Sequence, residues 1–118
     1  MTTVSNDGII TTVRGDSFEF PLFINMGTPV SPVRYYIAEH ENAKVFFGVM
    51  APNQPFEKAF IKKIYTKDDI NKEGDVVVKF IPKDTWYIRK GTYYYEVKLQ
   101  DSEGVVTVIP KTLFHITD

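Results

Sequence analysis

Hydrophobic positions along this chain recur at every second residue, in short runs broken by Gly, Pro, Asn and Asp. That is the pattern of half-buried strands. In residues 17–24, Phe18, Phe20, Leu22 and Ile24 fall on one face, while Ser17, Glu19 and Pro21 fall on the other. Phe23 interrupts the polar face. The alternation is clearest over residues 92–99, where Tyr93, Tyr95, Val97 and Leu99 point one way and Thr92, Tyr94, Glu96 and Lys98 the other. Asp101, Ser102, Glu103 and Gly104 then supply turn chemistry before a β-branched run over 105–109, which predicts a hairpin. Further strands are predicted over 8–13, 34–40, 44–50, 57–66, 75–81 and 113–117. Within 56–71, Phe56, Phe60 and Ile64 also have a partial 3.6-residue spacing, so a helix over 55–71 is the alternative to a strand with a short polar connection. Pro29 and Pro32 lack ladder donors, so the connection over 25–32 is expected to cross between sheets or run along an edge.

Regular strand spacing of this kind predicts an all-β sandwich or barrel, and an aromatic content of 14% alongside abundant Thr, Val and Ile agrees with it. With 118 residues, 43% of them apolar, the chain can bury roughly two-thirds of its unfolded surface around one core. Residues 9–118 are read as that single domain, and the short polar segment 1–8 as a flexible arm that orders on a neighbour.

Charge and composition narrow the partners. Fourteen basic residues against fifteen acidic ones leave a net charge of −1, without the basic excess that draws phosphate or anionic lipid, so neither nucleic acid nor membrane is expected. No run approaches the ~18 apolar residues of a spanning helix, and the first residues lack the basic start and apolar stretch of a signal peptide. The absence of cysteine removes disulfides, a thiol nucleophile and cysteine-ligated metal.

Few residues invite chemistry. His40 and His115 stand in no ligand spacing, and on a strand Glu39 and Glu41 would face away from His40, so no metal or other cofactor is expected. Asp68, Asp69 and Asp84 read as turn and cap residues. A phosphate loop, a nucleophile elbow and a glycosylation acceptor are all missing from the sequence. No catalytic residue and no small-molecule ligand are therefore expected. Arg14, Gly15 and Asp16 spell an integrin tripeptide but read more simply as a turn into the next strand. What remains is a candidate interface. Trp86, Tyr87 and Tyr94 are aromatics predicted to be exposed, Phe23 is apolar on a polar face, and Lys58, Lys62 and Lys63 form a charged edge guard or an electrostatic contact. The alternative for Trp86, Tyr87 and Tyr94 is a sugar-stacking platform, which would make the chain a carbohydrate-binding or adhesive surface module.

Residues 82–99 have the form of an immunoglobulin-like corner: a short turn drops Ile88 into the core, Gly91 reverses the chain, and Tyr93 opens the next strand. Three segments together resemble the N-terminal immunoglobulin-like domain of phage baseplate upper proteins and related small tailed-phage virion proteins. They are the Arg14-Gly15-Asp16 entry into the Phe18 and Phe20 strand, the corner and strand over 84–99, and the closing hairpin over 101–109 with the last strand over 113–116. The resemblance implies an immunoglobulin-like antiparallel β-sandwich of about seven to nine strands. It also implies a non-enzymatic structural role in a virion, at baseplate, tail or head, with other virion proteins and copies of itself as partners. Made in the host cytoplasm, the protein would act in the particle. Family members usually carry a coiled-coil or receptor-binding part behind this domain, whereas this sequence ends at Asp118, so the resemblance implies an accessory or adaptor.

Overall fold

The computed structural model describes residues 2–28 and 30–118. Met1, in the expected arm, and Pro29, in the expected proline-rich connection, lie outside the described residues. The chain is all-β. In order it forms β1 (Thr3–Val4), β2 (Ile10–Val13), β3 (Phe18–Leu22), β4 (Asn25–Gly27), β5 (Pro32–Arg34), β6 (Lys44–Met50), β7 (Ile61–Tyr65), β8 (Val76–Phe80), α1 (Pro82–Trp86), β9 (Gly91–Asp101) and β10 (Gly104–Thr117). A six-stranded sheet runs β1-β2-β10-β9-β6-β7, β3 pairs with β8, and β4 pairs with β5.

The period-2 pattern places the core. Val45, Phe47 and Val49 of β6 and Tyr95, Val97 and Leu99 of β9 are buried. Leu22 of β3 and Val76, Val78 and Phe80 of β8 join the same cluster. Rings tie the β3–β8 pair to the six-stranded sheet, where Phe80 of β8 meets Phe47 edge-on at 5.9 Å and lies 5.8 Å from Phe114, while Tyr95 stacks on Phe47 at 5.2 Å between neighbouring strands of the larger sheet. Aromatic pairs at such separations add to the area they bury. Phe47, fully buried at this junction, is where truncation to Ala would cost most, about 3–5 kcal/mol.

Several expectations are corrected. Pairing is not uniformly antiparallel, because β2 runs parallel to β10, from Phe114↔Ile10 to Thr117↔Val13. The predicted strand over 34–40 is replaced by the end of β5 and a 3-10 turn at Ile37–Glu39, which buries Ile37. Residues 56–71 take neither the long helix nor the full strand: 3-10 turns at Phe56–Lys58 and Lys67–Asp69 flank β7. Residues 25–27 and 32–34 pair as the β4–β5 ribbon, with Asn25↔Arg34 and Gly27↔Pro32 in register. The two predicted C-terminal strands are one long β10, whose pairing slips between Thr107 and Ile109 and between Ile109 and Thr112. Pro110, unable to donate, sits inside that irregular stretch. In the segment expected as an arm, Thr3↔Thr11 and Val4↔Ile10 pair β1 with β2, and the Thr2 and Thr12 hydroxyls lie 2.7 Å apart.

Candidate interaction surface

The seven expected interface residues are dispersed over four places. At one end, α1 presents Trp86 and Tyr87, 59% and 86% exposed. The helix follows directly from β8 because Pro82 has a φ suited to a first turn and no N–H to lose there. The Asp84 carboxylate accepts the Ile81 N–H at 2.8 Å and so caps it. Trp86 lies flat over the turn that joins β2 to β3, so close that a Cβ on Gly15 would stand 2.6 Å from its ring. Gly15 has φ of +86°, and its N–H donates to the buried Thr85 hydroxyl at 2.8 Å. Arg14 pairs with Asp118 at 3.0 Å. The tripeptide is thus a turn roofed by Trp86.

Phe23 is half exposed, as its position on a polar face suggested, with the Arg34 guanidinium 4.6 Å above its ring. Arg34 is held by the buried Asp75 carboxylate at 2.6 Å. A cation fixed over a ring in this way stiffens the patch around β5.

The lysines separate. Lys58 and Lys62 are exposed, and Lys62 donates to the Glu57 carbonyl at 3.2 Å. Lys63 shares the inner face of β7 with Ile61 and Tyr65 and pairs with Asp84 at 2.7 Å, its ammonium 5.2 Å from the Phe80 ring. It is therefore occupied inside the fold and cannot serve as a free electrostatic contact. Since β7 ends the six-stranded sheet, a charge pointing inward there still opposes further strand addition.

Tyr94 lies on the outer face of β9, half-buried, between Met50 of β6 and Leu113 of β10 in register. Residues after β6 fold back over this face: Phe56 and Ala59 seat on Gly48, where a Cβ would meet them at 2.8 and 3.1 Å. None of the ring–ring contacts among the described residues joins Trp86, Tyr87 and Tyr94.

Two features escaped the pattern reading. Val105 and Val106 are 57% and 44% exposed. Their signal was present as an uncharged β-branched run, but nothing in the sequence says that β2 accompanies only the far end of β10. The second is a polar knot at the base of the β9–β10 hairpin. The Tyr35 hydroxyl donates to Asp101 at 3.0 Å, and His40 stacks on the Tyr35 ring at 4.1 Å. Burial, then the Asp101 bond, pushes the Tyr35 phenol up to about 12. The Glu103 N–H, then the Tyr35 hydroxyl, holds Asp101 below the ordinary carboxylate range.

Among the described residues no three His, Cys, Asp or Glu side chains gather as a metal site, and no helix is long and apolar enough to cross a membrane. A groove of about 540 Å³ lies between residues 4–8 and β3, against Phe20, Tyr95 and Ile109, and the Tyr95 hydroxyl there already donates to the Gly8 carbonyl. No family model, no curated protein and no solved structure matches this chain.

Proposed function

We propose that this chain is a non-enzymatic immunoglobulin-like β-sandwich that serves a tailed-phage virion as a baseplate, tail or head adaptor, through surface contact with other virion proteins and with copies of itself. The immunoglobulin-like reading rests on the corner before β9. There the Tyr93 hydroxyl donates back to the Arg89 carbonyl at 2.6 Å, the bond expected of a tyrosine corner at the start of such a strand. The pairing of β3 with β8 across the larger sheet supports the same reading.

The observation that carries the contact mechanism is the display of large apolar side chains on ordered elements: Trp86 on α1 with Tyr87 capping its C-terminus, Ile64 on β7, and Val105 and Val106 on β10. Fixed apolar side chains at element ends bind by shape with little ordering cost. The virion setting rests on the resemblance of residues 13–20, 84–99, 101–109 and 113–116. Immunogold labelling of intact particles with antibody to this chain, beside a blot of denatured virions, tests it. Label at head, tail or baseplate is expected. Protein present in the lysate but absent from both the particles and the blot would overturn the proposal.

A further inference from the structure

The long strand β10 is accompanied for only part of its length. β2 lies beside it from Phe114 to Thr117, while β9 pairs with it on the other side from Gly104 onward. Among the described residues, no strand pairs with the β2-side edge of residues 104–108. The hairpin loop is two residues, Ser102 and Glu103, closed by the Asp101·Gly104 pair. In a two-residue hairpin the closing pair exchanges hydrogen bonds and the next pair does not. The N–H and C=O groups of Val105 and Thr107 therefore turn away from β9, toward the open edge.

This edge differs from the others. β7 carries Lys62 and Lys63, β3 carries Glu19 and Pro21, β8 carries Lys79, β5 carries Pro32 and Arg34, and β1 and β4 are only two and three residues long. Residues 104–108 read Gly-Val-Val-Thr-Val, with no charge and no proline. Charge, proline and bulges are what keep an edge from pairing; charge and proline are missing from 104–108, and the register slip after Thr107, with Pro110 beyond it, confines the open run to residues 104–107.

We infer that this edge pairs with the same edge of a second copy, antiparallel about a two-fold axis at Val106. The inference refines the contact reading above by naming the strand and the partner. In that register Val105 faces Thr107 of the other copy, both sets of outward backbone groups are satisfied, and Val106 faces its own equivalent. No like charges stand opposite one another, which would weaken a cross-strand pair. The contact is isologous, so it closes at two copies. The register of β10 on β9 slips between Thr107 and Ile109, so the two-fold pairs Val105, Val106 and Thr107 of each copy; this is a small interface, under roughly 1,200 Å² in total, and the dimer is a weak one, with a dissociation constant on the order of 100 μM.

Sedimentation velocity on the full chain from about 10 μM to about 1 mM tests this, with a rise from monomer to dimer expected across that span. Val105→Lys, at an exposed position, should weaken association about tenfold or more while leaving the thermal midpoint in place. Because the chain has no cysteine, Val106→Cys gives a second readout. Facing residues of a non-hydrogen-bonded antiparallel pair lie within disulfide reach, so mild oxidation should yield a covalent dimer, whereas Lys90→Cys, exposed just before β9 at the end opposite the hairpin, should not. A chain that stays monomeric throughout, or a dimer that Val105→Lys leaves intact and Val106→Cys fails to lock, would overturn the pairing. Particle labelling with a solution monomer would sink the pairing alone, and a solution dimer absent from virions would sink the virion setting alone.

Discussion

The Tyr93 hydroxyl reaches back four residues to the Arg89 carbonyl at 2.6 Å, and that bond fixes how the chain leaves α1 and enters β9. The Tyr93 ring also meets Phe60 edge-on at 5.3 Å, so the ring is packed whether or not its hydroxyl is present. Tyr93→Phe therefore removes the hydrogen bond and keeps the packing. A net loss of about 1 kcal/mol is expected, which for a chain of this size lowers the thermal midpoint by roughly 3–6 °C. Thermal denaturation followed by circular dichroism checks it, and an unmoved midpoint would mean that the strand alone sets the corner. Two aromatics that cover glycines follow a different logic. Trp86 needs Gly15 beneath it, and Phe56 needs Gly48, because any side chain there would occupy the space of the ring.

At the scale of elements, Asp84 joins two that are distant in sequence. Its carboxylate caps α1 at the Ile81 N–H and also receives the Lys63 ammonium of β7. Asp84→Ala removes the cap and leaves a partly buried ammonium without its partner, so a loss of about 1–2 kcal/mol is expected. Asp84→Asn keeps an acceptor for the cap and should lose less. Urea unfolding of the two variants measures the difference, and equal losses would show that the ion pair alone matters. This pair also marks the limit of what the sequence discloses. The breaker residues around 44–50 and 75–81 located β6 and β8, and the period of two located β9 within a few residues, since its inner face lies in the core and a slip would expose it. Phe23 was legible in the same way, as an apolar residue on the outward face. Lys63 was not, because its inward turn depends on a carboxylate 21 positions away. The parallel alignment of β2 with β10 joins residues about a hundred positions apart, and no local pattern encodes that closure. Residues 34–40, set off by Pro32 before them and Asn42 after, were read as a strand, yet the chain there turns to bury Ile37, with Arg34 tied to Asp75.

For the molecule as a whole, stability should have an alkaline limit set by tyrosines inside the fold. Burial pushes the Tyr65 phenol up to about 12, even though the Lys79 N–H donating to its oxygen favours the phenolate. Tyr35 is raised to about 12 by burial and by Asp101, and Tyr95, in the centre of the core, is raised by burial. In the unfolded chain a tyrosine ionises near 10. Between about pH 10 and 12 the folded state therefore holds protons that the unfolded state has released, and stability falls as pH rises. Below pH 10 both states keep these protons and the contribution is complete. The opposite limb belongs to Asp101, whose lowered folded value gives stability that is present above the ordinary carboxylate range and lost as the carboxyl protonates in acid. Phenolate absorbance on titration should contain a late component that merges with the rest in concentrated urea, and the urea midpoint should drop between pH 10 and 12. Tyr65→Phe should shrink the late component and flatten the drop. A folded chain whose tyrosines all ionised together near pH 10 would contradict the burial of these phenols and, with it, the packing of Tyr95 against Phe47 that joins the large sheet to its own core.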